Sequence, residues 1–378
     1  MRRIDFVFFD AGGGHRAAAT ALRRVIEDQK RAFQVRLVNL QEMLDSIDVF
    51  RKVTGFRLQD LYNLMLKKGW TLGSPQMTAA MHQVIRLFHP QQVRLLEELW
   101  RSNRPEMVVS LIPNFNRALY ESLARALPGV PLVTILTDIA DYPPHFWMER
   151  QPQYFICGSD KGVEQAAALG HKRGMIFRVS GMILNPAFYE IAPLSSGERA
   201  RARARLGFDP DRPIGLVLFG GQGAAVMLEI ARRLPDRQLL HICGHNARLA
   251  AKLRALDHAA PMFVEGFTKE VPMYMQLADY FIGKPGPGSI SEAMAMHLPV
   301  IVERNAWTLP QERYNAQWVK EQGVGLVLPG FRQIRAAVDA LLEPAAYARF
   351  RAAAEALENR AVFEIPDILE KIIEQHRN

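Results

Sequence analysis

The stretch from Ala278 to Val302 carries the most chemically suggestive spacing in the chain. Tyr280, Phe281 and Ile282 form a short apolar run suited to a buried parallel strand. Gly283, Gly286 and Gly288 then allow a sharp turn and a close approach of the backbone to a ligand. The spacing predicts a helix over Ser289–His297 and a strand from Leu298 to Val302. The first N–H groups of such a helix lack intrahelical partners and lie at the positive end of its dipole, which makes a seat for phosphate. Glu292, one turn inside, is placed to accept hydrogen bonds from both hydroxyls of a ribose. The same Ser289-x-x-Glu292 spacing also fits a capping box, in which the carboxylate serves only its own helix. The spacing is compatible with either role.

A second glycine turn, Ala11-Gly-Gly-Gly-His-Arg16, follows an apolar strand over Ile4–Phe9 and opens an alanine-rich helix that runs to about Lys30. It lacks the G-x-G-x-x-G spacing and the acidic partner of a dinucleotide site. His15 stands at the start of that helix, where a side chain can project into a cleft. An isolated histidine is more often a surface or packing residue, but its place after three glycines at a strand's carboxyl end favours function. Thr137-Asp138 ends another strand, and the loop Asp141-Tyr-Pro-Pro-His-Phe-Trp147 after it is rich in groups that can handle a substrate.

These residues need a scaffold that brings strand ends together. Apolar runs at Phe33–Leu37, Val108–Ile112, Leu132–Thr137 and Tyr154–Cys157 alternate with helical patterns at Ala118–Ala126 and Gly162–Leu169. A break at Asn185–Pro193 marks a linker, followed by a polar, basic stretch from Ser195 to Arg205. A second series then begins: Ile214–Phe219, Gln238–Cys243, Met262–Val264, Tyr280–Ile282, Val300–Val302 and Gly325–Leu328. Strands alternating with helices predict an α/β chain of two doubly wound parallel sheets, whose ligands bind at the carboxyl ends of the strands. The expected division is a first domain over 1–187, a second over 188–345 and C-terminal helices over 346–378 placed to pack back on the first domain.

A chain of 378 residues, 49% hydrophobic and 23% charged, has the composition of a globular protein of about two domains. Cys157 and Cys243 lie in apolar, strand-like contexts without metal-ligand or C-x-x-C spacing, as buried free thiols of a reducing compartment do. Arg2 and Arg3 precede a short strand, so no signal peptide is expected there, and no apolar run reaches the length of a membrane span. The net charge of +8 suits an anionic partner such as a sugar nucleotide or an anionic membrane surface, although ordinary surface charge is the commoner cause. No aromatic-basic signature of nucleic-acid binding is present, so no nucleic-acid partner is expected. From Gln41 to Trp100 the chain mixes bulky apolar residues with lysines, notably at Leu64–Trp70. That mixture suits a surface touching lipid headgroups, and equally suits helices that cover a sheet.

The motifs together resemble a known family. Gly12-Gly-Gly-His-Arg16 is similar to the N-terminal loop of the monogalactosyldiacylglycerol synthases and their bacterial diacylglycerol glucosyltransferase relatives. Cys243-Gly-His-Asn246 matches their Cys-Gly-x-Asn. Gly283-Lys-Pro-Gly-Pro-Gly-Ser-Ile-Ser-Glu-Ala293 resembles their Lys-x-Gly-Pro-Gly-Thr-Ile-x-Glu-Ala, and Gln311-Glu-Arg-Tyr-Asn315 their Gln-Glu-x-x-Asn. The peptidoglycan N-acetylglucosaminyl transferase shares this architecture, and Gly220-Gly-Gln-Gly-Ala224 is as close to its glycine loop as to that of the lipid branch. The resemblance runs from Ile4 to about Leu328, but the segment from Gln41 to Trp100 carries no matching motif.

The resemblance implies a GT-B fold, two Rossmann-like domains facing a central cleft. It implies transfer of a hexose from UDP-galactose or UDP-glucose to a lipid hydroxyl such as that of diacylglycerol, with inversion and without metal. No cofactor is implied, the UDP-sugar being a co-substrate. Gly286, Pro287, Gly288 and Ser289 would hold the diphosphate, with Lys284 as an available cation. Glu292 would bind the ribose, and the backbone of Gly266-Phe267 the uracil. Gly221 and Gln222 would close over the nucleotide, and Gln311, Glu312 and Asn315 would hold sugar hydroxyls. Gly13 and Gly14 would form the acceptor-side loop, with His15, Asp138 and His145 as rival candidates for the base. The implied location is cytoplasmic and peripheral, on the inner face of the cell membrane. A UDP-N-acetylglucosamine-using transferase or 2-epimerase, and a non-catalytic UDP-sugar-binding protein, are the alternative readings.

Overall fold

The computed structural model describes residues 1–10, 14–44, 83, 85–142 and 146–376. The chain forms two compact units. The described residues up to Pro186 and those from Asn359 onward make the first, and Ala187–Glu358 the second.

The first unit is built on six parallel strands: β1 (Arg2–Phe8), β2 (Phe33–Asn39), β3 (Met107–Ser110), β4 (Leu132–Ile135), β5 (Tyr154–Cys157) and β6 (Ile176–Arg178), in the order β2-β1-β3-β4-β5-β6. Strands covered on both faces read as continuous apolar runs, and β3 and β4 are buried at every position. Asp5 is the exception on β1. It is fully buried and receives the Arg36 guanidinium from β2 at 2.7 and 2.9 Å, with Asn103 at 3.0 Å. Helix Gly14–Asp28 turns Ala18, Ala19, Leu22 and Ile26 into a core shared with Ile365, Leu369 and Ile372 of the last helix, Ala361–Gln375. Arg31 fastens that last helix through Asp367 at 2.6 Å and Glu370 at 2.8 Å. The segment beyond residue 346 is thus divided. Helix Pro344–Glu355 packs Phe350 and Ala354 into the second unit, while Ala361–Gln375 completes the first.

The second unit repeats the plan with β7 (Ile214–Leu218), β8 (Gln238–Ile242), β9 (Met262–Glu265), β10 (Tyr280–Gly283), β11 (Val300–Glu303) and β12 (Gly325–Leu328), all parallel, in the order β12-β11-β10-β7-β8-β9. The winding direction reverses between β7 and β10, and such a switch point opens a crevice at the carboxyl ends of the strands. In the first unit the reversal falls between β1 and β3.

Several expectations shift when the chain folds. The basic stretch after the linker is a helix, Ser196–Arg205, opened by a capping box of Ser195 and Glu198. Two of its four arginines are structural. Arg203, nearly buried, reaches the Leu277 carbonyl and Asp279 at 2.6 Å, and Arg199 holds Asp279 at 2.9 Å, so the cations brace the turn that feeds β10. The edge strand β6 is too short, at three residues, to announce itself as an apolar run. The helix expected over Ser289–His297 begins and ends two residues earlier, at Pro287–Ala295. A proline is well suited to the first helical position, and Gly286 with extended backbone caps it. His297, with φ of 56°, then turns the chain left-handed toward β11.

Candidate functional site

The loop after β10 and the loop after β7 flank the switch point of the second unit. Gly286 caps the helix Pro287–Ala295, leaving the N–H groups of Gly288 and Ser289 in its first turn at the positive pole. Ser289 is therefore the third helical residue and not the cap, and no side chain caps this helix. The capping-box reading of Ser289 and Glu292 does not hold. Glu292 is the sixth helical residue, three positions beyond the one that could reach back to the cap, because the helix is capped at Gly286. Its carboxyl lies in a half-buried position where burial, the sole cause acting on it, raises its pKa from 4.5 to about 7. A carboxyl with no compensating donor is a group held ready for one.

Lys284 Nζ donates to Glu312 Oε1 at 2.7 Å. Glu312 ends the turn Pro310–Glu312 and is nearly buried, and Gln311 beside it is half-buried. Asn315 is fully buried and donates to the Pro285 carbonyl at 2.8 Å, tying this turn to the glycine loop from below. The loop after β7 is laced to the Cys243-Gly-His-Asn246 loop after β8. His245 N donates to the Gly221 carbonyl at 2.9 Å, and Asn246 Nδ2 to the Gln222 carbonyl at 3.2 Å. Gly244 is required there. Its φ is +56°, and any Cβ would run into the Gly221 carbonyl. Phe267, 59% exposed, stacks on the His245 ring with centroids 4.1 Å apart and planes 17° apart. Glu265 orients that corner by accepting from Gly266 N at 2.8 Å and from Tyr274 Oη at 2.7 Å. One half of the sheet end therefore presents a flat aromatic face, and the centre presents helical N–H groups, a lysine and two carboxyls.

In the first unit, His15 begins helix Gly14–Asp28 beside its switch point. Its Nδ1 lies 3.1 Å from Thr137 Oγ1, and its ring also hydrogen-bonds the Leu111 carbonyl after β3. Burial outweighs that carbonyl and lowers its pKa to about 4, so the imidazole is neutral at neutral pH and able to accept a proton. The Trp147 ring packs against it with centroids 5.9 Å apart. Trp147 Nε1 donates to Asp138 Oδ2 at 2.8 Å, Trp147 N donates to Asp141 Oδ1 at 2.6 Å, and the Trp147 carbonyl accepts from buried Asn116 at 2.9 Å. His15 and Asp138 are thus joined through one fully buried indole. Gly14 opens the helix, whereas Gly13, His145 and the apolar-lysine stretch Leu64–Trp70 lie outside the described residues.

Three contributors stand inside these motifs but carry roles the motifs do not show: Thr137 as partner of His15, Trp147 as the bridge, and His245 as the floor under Phe267. Each follows a strand's carboxyl end, which is the one signal by which they could have been found. Asp209 and Asp211 form an Asp-x-Asp spacing, but they precede β7 and so lie at the opposite edge, where Asp209 Oδ1 accepts from Asp211 N at 3.0 Å. Among the described residues no cluster of three or more His, Cys, Asp or Glu could hold a metal ion, and no helix is long and apolar enough to cross a membrane.

Residues 216–370 match the glycosyltransferase family 28 C-terminal domain. The chain is 28% identical over 403 residues to the chloroplastic monogalactosyldiacylglycerol synthase of Spinacia oleracea, covering 99% of this chain and 73% of that one. It is 29% identical over 348 residues to a probable monogalactosyldiacylglycerol synthase 2 of Oryza sativa subsp. japonica, covering 86% and 70%. In fold it is similar to MurG of Acinetobacter baumannii, with a TM-score of 0.60, 12% identity and coverage of 98% and 100%. It is also similar in fold to the UDP-GlcNAc 2-epimerase of Neisseria meningitidis, with a TM-score of 0.61, 13% identity and coverage of 99% and 100%.

Proposed function

We propose that this protein is a glycosyltransferase of family 28 that transfers a hexose from UDP-galactose or UDP-glucose to the hydroxyl of a lipid such as diacylglycerol. The observation that carries the reading is the grouping at the β7/β10 switch point. Unpaired helical N–H groups, Lys284, an uncompensated Glu292 carboxyl and Glu312 stand together where a nucleoside diphosphate sugar offers phosphates, ribose hydroxyls and sugar hydroxyls. The names of the sequence relatives point to galactose as the sugar and diacylglycerol as the acceptor.

In this reading Gly286, Pro287, Gly288 and Ser289 frame the diphosphate and Glu292 accepts from the ribose. The uracil lies by Gly266 and Phe267, with Gly221 and Gln222 over the nucleotide. Gln311 and Glu312 meet the sugar, and Asn315 acts by holding their turn against Pro285. The acceptor hydroxyl attacks the anomeric carbon as the bond to the diphosphate oxygen breaks, and UDP leaves with the electron pair. Its growing charge is met by the helix N-terminus and Lys284, so the step proceeds without a metal. The acceptor proton passes to a base of the first unit. His15 is the first choice, being neutral and oriented by Thr137 and Leu111, with Asp138 as its rival. A single displacement inverts the anomeric centre. The basic chain, with a net charge of +8, would work as a peripheral protein at an anionic cytoplasmic membrane face.

The test is UDP release measured with and without diacylglycerol vesicles. Release that requires the lipid supports transfer. A UDP-sugar converted in the absence of any acceptor points to an epimerase, and a bound but unconsumed UDP-sugar points to a binding protein.

A further inference from the structure

Lys284 does not extend freely toward a ligand. Its ammonium is held by Glu312 at 2.7 Å, and its stem runs between the two glycine loops, with Cε 3.4 Å from where a Gly286 Cβ would stand and 3.7 Å from that of Gly220. The lysine is 34% exposed and its partner only 9%. The two ends of the pair have different freedom. An ammonium on a four-carbon stem can swing without moving the backbone. Glu312, nearly buried and on a shorter stem, has less room to turn, and its own turn is tied through Asn315 to the Pro285 carbonyl. A nearly buried carboxylate that loses its cation must find other donors.

We propose that the Lys284–Glu312 ion pair is an exchangeable lock: a diphosphate draws Lys284 away from Glu312, and the freed carboxylate takes up the hydroxyls of the sugar carried on that same diphosphate. This rests on the donor reading above and adds a coupling to it. Phosphate offers Lys284 more negative charge than a carboxylate, at a point where the helix N-terminus already favours anions. UDP without a sugar strands Glu312, so part of its phosphate attraction is spent on breaking the pair. A UDP-hexose satisfies both residues at once. Recognition of phosphate and of sugar become interdependent, and Glu312 and Lys284 act on each other as well as on the ligand.

Titration calorimetry of the full chain with uridine, UDP, UDP-galactose and UDP-glucose tests this. Glu312→Gln is expected to bind UDP about 2- to 5-fold tighter than the unaltered protein, the scale of a partly exposed ion pair no longer competed for. It should also lose the extra affinity that the sugar confers. Lys284→Met should weaken UDP by a similar factor or more while leaving uridine unchanged, and Lys284→Arg should restore UDP binding. A Glu312→Gln protein with normal uridine affinity but unchanged or weaker UDP affinity overturns the lock and leaves the donor reading standing. If Glu312→Gln loses uridine as well, Glu312→Asp decides, because the shorter side chain breaks the pair yet keeps the charge. Tighter UDP binding in it supports the lock, and unchanged binding overturns it. Unaltered protein that binds neither uridine nor UDP overturns the donor reading itself, and the lock with it.

Discussion

In the proposed donor site, Glu292 should make stability and binding pull in opposite directions. Its carboxyl titrates near 7 instead of 4.5 because burial disfavours the charge and no neighbour compensates. Below the lower value both folded and unfolded chains carry the proton, and Glu292 leaves stability unaffected. Between the two values the unfolded chain ionises while the folded chain keeps its proton, so stability falls as pH rises. Above about 7 the full penalty is in place. At about 1.4 kcal/mol per unit, the shift amounts to roughly 3 kcal/mol at most. Glu292→Gln removes the charge and keeps the shape. The variant should therefore be more stable than the unaltered protein by up to roughly 3 kcal/mol at pH 8, and no different near pH 4. For a unit of this size that is about 5–10 °C in melting temperature. Affinity should move the other way. Losing charge-assisted hydrogen bonds to a ribose costs about 1.5–3 kcal/mol, or roughly 10- to 100-fold in UDP dissociation constant. Thermal melts at both pH values and calorimetry with UDP measure both sides. A Glu292→Gln protein that melts earlier at pH 8, or that binds UDP normally, would refute the reasoning.

The other predictions concern the base, the glycine lacing and the membrane. His15→Ala should leave UDP affinity intact and lower turnover by about 100-fold or more, as steady-state rates and calorimetry would show. Near-normal turnover would move the base assignment to Asp138 or His145. Since the His15 pKa lies near 4, protonation of this residue should cause no loss of rate between about pH 7 and 5 in a buffered rate profile. Gly244→Ala should destabilise the second unit by at least 1–3 kcal/mol in chemical denaturation, because a left-handed φ of 56° and the Gly221 carbonyl both oppose a Cβ. In vesicle sedimentation, binding should strengthen with anionic lipid and weaken with salt, and equal, negligible sedimentation with neutral and anionic vesicles would count against a membrane-bound acceptor.

Most of the architecture was legible because buried parallel strands are apolar at every position. Among the described residues, eleven of the twelve strands lie where apolar runs stand, and the three-residue edge strand β6 escaped. The glycine loops were legible because a chain that must turn sharply at a strand end has few other residues to use. What resisted reading was the meaning of single side chains. The Ser289-x-x-Glu292 spacing satisfies the capping-box pattern, and only the earlier start at Pro287 removes it. Ser195-to-Arg205 reads only as a polar, basic stretch, because sequence cannot show that Arg199 and Arg203 converge on Asp279, some 76 to 80 positions away. The same limit hid His15 beside Trp147, which shares one loop with Asp138 and meets His15 only because the sheet brings two strand ends together.

The measurement that bears most directly on the central claim is mass spectrometry of the lipid extract after the protein is incubated with diacylglycerol vesicles and isotope-labelled UDP-galactose or UDP-glucose. The account predicts a new lipid heavier by one labelled hexosyl residue, formed in step with UDP release and absent when the vesicles are left out. Labelled sugar that stays on the nucleotide, or appears as an isomer of it without any glycosylated lipid, would contradict it.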